Sequence, residues 1–492
     1  MAEFPKHPQY TSNLYNFFVS NVCQAGLYEM QKNYVALLNM PIGLLNRDLV
    51  QNSVQAFTRK RQMLGLSDEY PDIAVAYISG GRVANLVMRT LTGYIGLYTE
   101  YTPVTTFPSS MEYLIDNATK DGKNLNDATV ECLSEILLNG NSHIVVDIDS
   151  DNKPKFVFYK NESRINWDPQ GSDKDDYRYN QVMFKEVSLE GDIAETQETV
   201  TTYIKHHLVD GVYTITKYNE SKEVIGSPIV PKYLGRQLNF IPIVSAGSID
   251  NTPDIDPAPL EPIMQIMVAI LGMDTELSHF NMMATAPTLV ITGINEDELP
   301  KIMGPGVALA LPQYTSKAYY TAVEAGSLEH MRNKINDAYS EAQEYGASLI
   351  GSNKNSAESG EALRLRQQAT TVNLRSVVSN MGRAIERALK IVAEWMQESS
   401  EVKYEPNKEF STFTLTAAEL QALVQAWQAG SISKTTVLYN VRKSGMLQPG
   451  ETVEDEIERL KDPDERFVAN ENSSAGVVQG DKATQTGAQN AN

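Results

Sequence analysis

Along this chain of 492 residues, apolar positions recur every three or four residues except in one central block, where they alternate. Residues 1 to about 125 read as mostly helical with irregular connections. NLYNFFVSNVCQAGLYEMQKNYVALLN and PDIAVAYISGGRVANLVMRTLTGYIGLYTE both carry helical apolar spacing, and Gly80-Gly81 separates two helices in the second. MEYLIDNATKDGKNLNDATVECLSEILLNGN runs out at Gly140, the residue type that closes helices.

From Ser142 to about Pro231 the period falls to two. HIVVDIDSDNKPKFVFYK predicts a hairpin with DSDNKP as its turn. NQVMFKEVSLEGD, ETVTTYIKHHLVDGVYTITKYN and KEVIGSPIVP add strands, two of them joined at Asp210-Gly211. An antiparallel region of five or six strands is expected, with NWDPQGSDKDDYR as a polar, mobile loop and Leu238 to Pro262 as a proline-rich connection.

Helical spacing then returns. Ile263, Ile266, Ile270, Met273, Leu277 and Phe280 predict a helix to about Ala284, followed by a compact β-type insertion from Ala286 to Val323. That insertion holds two or three short strands, a helical turn in INEDELPKIM and the Gly304-Pro305-Gly306 turn. Leu328, Met331, Ile335, Ala338, Ala342 and Tyr345 form the stripe of the next helix. A glycine- and serine-rich loop, Gly346 to Glu361, leads into a very long helix whose stripe runs through Leu363, Thr370, Leu374, Val377, Met381, Ile385, Leu389, Val392 and Trp395. At about 1.5 Å per residue that helix spans roughly 50 to 60 Å, a strut suited to a large assembly. Beyond it, VKYEPNKEFSTFTLT offers one extended segment. AAELQALVQAWQAGSISKTTVLYNVRKSGML offers short helices with an N-cap at Ser431-Ile432-Ser433, and ETVEDEIERLKDP an acidic last helix. From Pro463 the composition is that of a disordered tail.

Charge changes the functional picture more than composition does. Lys and Arg number 42 against 62 Asp and Glu, giving a net −20. Tight nucleic-acid binders neutralise phosphates with clustered cations, so a firm grip on DNA is disfavoured, while a surface along which DNA slides is not. The segment IMQIMVAILGM is about half the roughly 20 apolar residues a membrane span needs. The first residues, MAEFPKHPQY, lack the basic and apolar regions of a signal peptide, so an intracellular, non-membrane protein is expected.

Candidate chemistry is sparse. There is no phosphate-binding glycine loop, no HExxH and no spaced Cys/His set, so neither cofactor nor metal is expected. Cys23 and Cys132 each lie in an amphipathic pattern and read as buried reduced thiols. His206 and His207 are adjacent in a strand pattern and point to opposite faces, while His143, His279 and His330 read as structural. Asp147, Asp149 and Asp151 read as a hydrated hairpin tip, and Glu296, Asp297 and Glu298 as a solvated helix start.

The order of elements from Pro262 to Trp395 resembles the portal proteins of tailed bacteriophages, in particular the short-tailed type. The motif SAESGEALRLRQQATTVNLRSVVSNMGRAIERALKIVAEWM is similar to that family's loop-to-helix junction, and AAELQALVQAWQAGSISKTTVLYNVRKSGML to the segment after its long helix. The resemblance implies an α+β portal-like fold assembled as a ring. Its parts would be a wing over residues 1–255 (helical 1–140, antiparallel β 141–231, linker 232–255), a first stem helix over 256–284 and a β clip over 285–323. A second, antiparallel stem helix over 324–346, a tunnel loop over 347–360, a long wing helix with following strand over 361–410, a helical crown over 411–462 and a tail over 463–492 complete it. Such rings, usually dodecamers, occupy one capsid vertex of the virion and are built in the host cytoplasm. Their partners would be the terminase large subunit, the major capsid and scaffolding proteins, tail adaptor or head-completion proteins, and double-stranded DNA in the channel. The role implied by the resemblance is structural and not enzymatic.

That resemblance places Ser352, Asn353, Lys354, Asn355 and Ser356 at a loop tip facing DNA. It places Thr288, Asn295, Glu296, Asp297, Lys301, Gln313, Lys317 and Tyr319 where the clip meets terminase and adaptors. Arg332, Glu341, Glu344, Arg364, Arg366 and Arg375 would lie between subunits in stem and wing. Arg364, Arg366, Arg375, Arg383 and Arg387 are expected to form salt bridges with Glu341, Glu344 or Glu361 of a neighbouring subunit, the alternative being contact with DNA. Two other readings are another ring component of the head-tail connector and a multidomain enzyme with its site around Arg164 to Asp168.

Overall fold

The computed structural model describes residues 4–10, 84–171, 177–191, 198–285, 288–293, 315–321, 325–346, 360–408, 410, 417–443 and 453–461. The helices expected before residue 84, Cys23, the helical turn at INEDELPKIM, the glycine-serine loop and the tail after Pro463 lie outside them. The fold is mixed α+β, in two compact units, Met1–Phe410 and Ser411–Asn492.

In the first unit, α1 (Leu86–Thr99) precedes the short strand β1 (Val104–Thr106), the single turn α2 (Tyr113–Asp116) and α3 (Leu125–Asn139). The ends of α3 follow from its sequence. Asn124 accepts the Asp127 N–H at 2.7 Å, and Asp127 adds a carboxylate to the first turn. Gly140 (φ +85°) closes the helix by donating its N–H to the Ile136 carbonyl at 2.8 Å. The helix buries Leu125, Ala128, Cys132, Leu133 and Ile136.

Eight strands follow before the next helix: β2 (Asn141–Ile148), β3 (Pro154–Lys160), β4 (Arg164–Gln170), β5 (Arg178–Glu190), β6 (Glu198–Val209), β7 (Val212–Tyr218), β8 (Val224–Ile229) and β9 (Ile243–Gly247). They form two sheets, β3-β2-β9 and the meander β4-β5-β6-β7-β8, all neighbours antiparallel. The expected hairpin is β2–β3, and Asp210 (φ +51°) with Gly211 (φ +77°) makes the two-residue turn between β6 and β7.

Three expectations fail here. The region between 141 and 231 holds seven strands rather than five or six, divided between two sheets. The start of the supposed loop NWDPQGSDKDDYR is instead the outer half of β4, whose Arg164, Ile165 and Trp167 are buried. Its Pro169 is tolerated because β4 is an edge strand with an irregular register at that point. The proline-rich connection contains β9, all five residues of which are buried; a fully buried strand shows no alternation, and Pro242 just before it masked the signal.

Then come α4 (Glu261–Thr285), the antiparallel pair β10 (Thr288–Thr292) and β11 (Lys317–Thr321), α5 (Ala325–Glu344), the 37-residue α6 (Gly360–Met396) and β12 (Lys403–Glu405), which pairs with β1. The core centres on α6. Leu374, Val377, Val378, Met381, Ile385, Leu389, Val392 and Trp395 form one buried stripe against β9, β2, β3 and α3. Each such aliphatic side chain contributes about 1.5–3 kcal/mol of burial. Gly382 lets the returning chain lie close, since a Cβ there would stand 2.6 Å from Pro406 Cγ.

The second unit contains α7 (Ala417–Gln428), α8 (Lys434–Lys443) and α9 (Val453–Arg459). Ser433 caps α8, its hydroxyl accepting the Thr436 N–H at 3.2 Å.

Two measurements test this packing. A Cβ on Gly140 would overlap the Asp256 carbonyl, whereas one on Gly122 (φ +84°) would meet nothing within 4 Å. Gly122→Ala therefore costs only the left-handed strain of about 1–2 kcal/mol, and Gly140→Ala costs distinctly more, read as urea-unfolding midpoints; equal losses would refute the close approach. Burial, reinforced by Glu162, raises the Glu135 carboxyl to about 7, while its Oε1 accepts from Asn161 N–H and Asn139 Nδ2. The folded chain thus holds a proton that the unfolded chain releases near pH 4.5, so stability falls as pH rises toward 7, by about 3 kcal/mol. Glu135→Gln, which keeps an acceptor oxygen, should flatten the stability profile over that window; an unchanged slope would contradict the buried acid.

Candidate functional site

Three surfaces gather the residues singled out from the sequence, and each is positioned by the core around α6. The first is the helical hairpin of α4 and α5, which pack on each other. Because α4 leads into β10, and β11, antiparallel to β10, leads into α5, the chain goes out along one helix and returns along the other. On α4, Ile263, Met264, Met267, Ile270 and Leu271 are buried. On α5, Ile335 and Ala342 are buried and Leu328, Met331 and Ala338 half-buried, a seam spaced 3-4-3-4. Tyr345, expected to continue it, is exposed instead, because α5 ends at Glu344 and Gly346 (φ +129°) turns the chain against Tyr94. Arg332, Glu341 and Glu344 all lie on the exposed side of α5.

At the far end of the hairpin stands β10–β11. Thr288 is opposite Thr321, Lys317 opposite Thr292 and Tyr319 opposite Val290. Adjacent strand residues point to opposite faces, yet Tyr319 is 51% and Tyr320 68% exposed, so neither face of this ribbon is covered at that point. Of the clip residues named from the sequence, Asn295, Glu296, Asp297, Lys301 and Gln313 lie outside the described residues, as do Ser352, Asn353, Lys354, Asn355 and Ser356.

The third surface is a shallow groove of about 570 Å³ along α6, lined by Val372, Arg375, Ser376, Ser379, Asn380, Arg383 and Lys408. Asn380 fixes its floor, donating to the carbonyls of Ser248 (3.1 Å) and Ile249 (2.6 Å). Arg383 donates to Asn380 Oδ1, and Arg375 Nε to the Lys408 carbonyl at 3.0 Å. Sequence reading found both arginines but missed Ser376 and Ser379, whose only signal was their place in the polar stripe of the helix, and Lys408, which lies beyond the helix end and carries no such signal. Arg387 is engaged within its own chain, donating to the Tyr177 carbonyl and lying 4.5 Å from that ring. Arg364 and Arg366 fall within α6.

The region around Arg164 does concentrate polar chemistry. The Arg164 guanidinium stacks on Trp167 at 3.8 Å, and its Nη1 donates to Tyr179 Oη at 3.2 Å. Ser245 Oγ lies 2.8 Å from Tyr179 Oη and 3.0 Å from His143 Nδ1. His143 and Ser245 are cross-strand partners, both fully buried, and burial next to Arg164 lowers the His143 pKa well below the usual value. This is a buried polar layer between strands. His206, by contrast with half-buried His207, is buried and bonded to Tyr213 Oη at 2.7 Å, on opposite faces of β6 as expected. The hairpin aspartates are less hydrated than expected: Asp147 pairs with Lys120 and Asp149 with the buried Lys155 at 2.7 Å. Cys132 is a buried free thiol raised to about 12 by desolvation. Among the described residues, no group of acidic, His or Cys side chains could hold a metal, and no helix is long and apolar enough to cross a membrane.

The family model described as "Domain of unknown function (DUF4055)" matches residues 259–396, a span that opens two residues before α4 and closes on the last residue of α6. No curated protein matches the chain. Among solved structures, a chain of the "Neck of empty GTA particle computed with C6 symmetry" is similar at 14% identity and a TM-score of 0.36, over 77% of this chain and 94% of that one.

Proposed function

We propose that the chain is a virion head-tail component, and specifically the subunit of a portal ring through which double-stranded DNA enters and leaves the capsid. The observation that supports this reading is one uninterrupted order: α4, a small β-ribbon, α5 returning along α4, a polar connection, and the 37-residue α6. In portals that order is stem helix, clip, stem helix, tunnel loop and wing helix.

Physical chemistry fits the role. A conduit must not hold its polymer, and a net charge of −20 repels phosphate at short range, leaving contact to a few cations on loops. The uncovered tyrosines of β10–β11 provide an amphipathic tip for partners such as the terminase during packaging and adaptor proteins afterwards. ATP hydrolysis and DNA cleavage belong to the terminase in this account, and the chain itself is not an enzyme.

The experiment concerns the connection between α5 and α6. Deleting Ser352–Ser356 should leave assembly intact while particles carrying the variant package or retain less DNA, measured as DNA per particle. Full DNA content in the variant would contradict the assignment of that loop to the channel.

A further inference from the structure

The groove along α6 is cationic on a strongly acidic chain. Arg375, Arg383 and Lys408 are exposed around it and make no ion pair among the described residues. Arg375 and Arg383 are eight residues apart on one face of α6, about 12 Å at helical rise.

A matching feature lies on α5. Asp337, Glu341 and Glu344 follow at spacings of four and three, so they share one face, and all three are exposed and without an ion pair among the described residues. Their stripe is about 10 Å long, close to the separation of the two groove arginines. Each stripe also has an exposed apolar neighbour, Val372 beside the arginines and Tyr345 beside the glutamates. No ion pair joins the two stripes among the described residues, and the charged side chains of both are exposed.

We propose that the groove receives the acidic stripe of α5 from a second copy of this chain. The two surfaces differ, so the contact is head-to-tail, the type that either closes into rings or propagates as filaments. The inference rests on the ring reading above and adds which faces meet. Ser376 and Ser379 supply hydroxyl donors between the arginines, so carboxylates can be held by hydrogen bonds as well as charge. A contact of this kind weakens with salt, since exposed pairs are screened over roughly 8 Å at physiological ionic strength.

The test is a charge swap in the full-length chain, read by native mass spectrometry across a concentration series. Arg375→Glu with Arg383→Glu should raise the concentration needed for half assembly by about tenfold or more, because like charges then face each other. Glu341→Lys with Glu344→Lys should do the same. The chain with all four changes should assemble near the wild-type concentration. All of these side chains are exposed, so unchanged thermal melts will verify folding. Rings from the wild-type chain that form equally well with the reversed arginines, or a four-fold variant that fails to recover, would overturn this contact and leave the ring reading intact. A wild-type chain that stays monomeric at all concentrations would overturn both.

Discussion

The buried stripe of α6 is the constraint on which the rest of the first unit depends. Leu374 to Trp395 lie against three strands and α3, so the C-terminal two thirds of a 37-residue helix belong to the core. Other elements are keyed to the same helix: Asn380 ties it to residues 248–251, Gly382 admits Pro406, and Arg387 clasps Tyr177, the residue just before β5. A strut anchored in this way transmits force without bending, because packed interiors have few voids in which side chains can shift. What the sequence presents as a projecting rod is, over most of its length, the keel of the domain.

The two helices ahead of it are held differently. The near part of α4 is buried in the same core, whereas α5 keeps only a narrow seam and leaves most of its surface exposed. A helix with so little cover is the natural place for contacts with other molecules, and its charges lie outward and make no ion pair among the described residues. The polar groups of the β-region tell the opposite story. Arg164, His143 and Ser245 are buried between strands of the two sheets and bonded to one another through Tyr179 and Ser245.

The long helices were legible because periodicity accumulates with length: α6 begins and ends where the apolar stripe and its flanking glycine and tryptophan predict. Gly140, Asp210-Gly211 and Ser433 were legible because turns and caps demand particular residue types. Strand β9 was not, since IVSAG is buried on both faces and too short for any period to appear. Strand β4 was not, because its cation is hidden by stacking on Trp167, a contact that hydropathy scores as solvent exposure. The groove on α6 was half visible. Its arginines stood out, but Lys408 comes from the segment after the helix, and only the fold brings it alongside.

Whether these elements form a channel is a question of assembly, and imaging the purified full-length chain by electron microscopy addresses it most directly. The account predicts closed rings with a central hole wide enough for a DNA duplex, with the α4–α5 hairpins around that hole. Compact particles of single-chain size, without a hole, would contradict it.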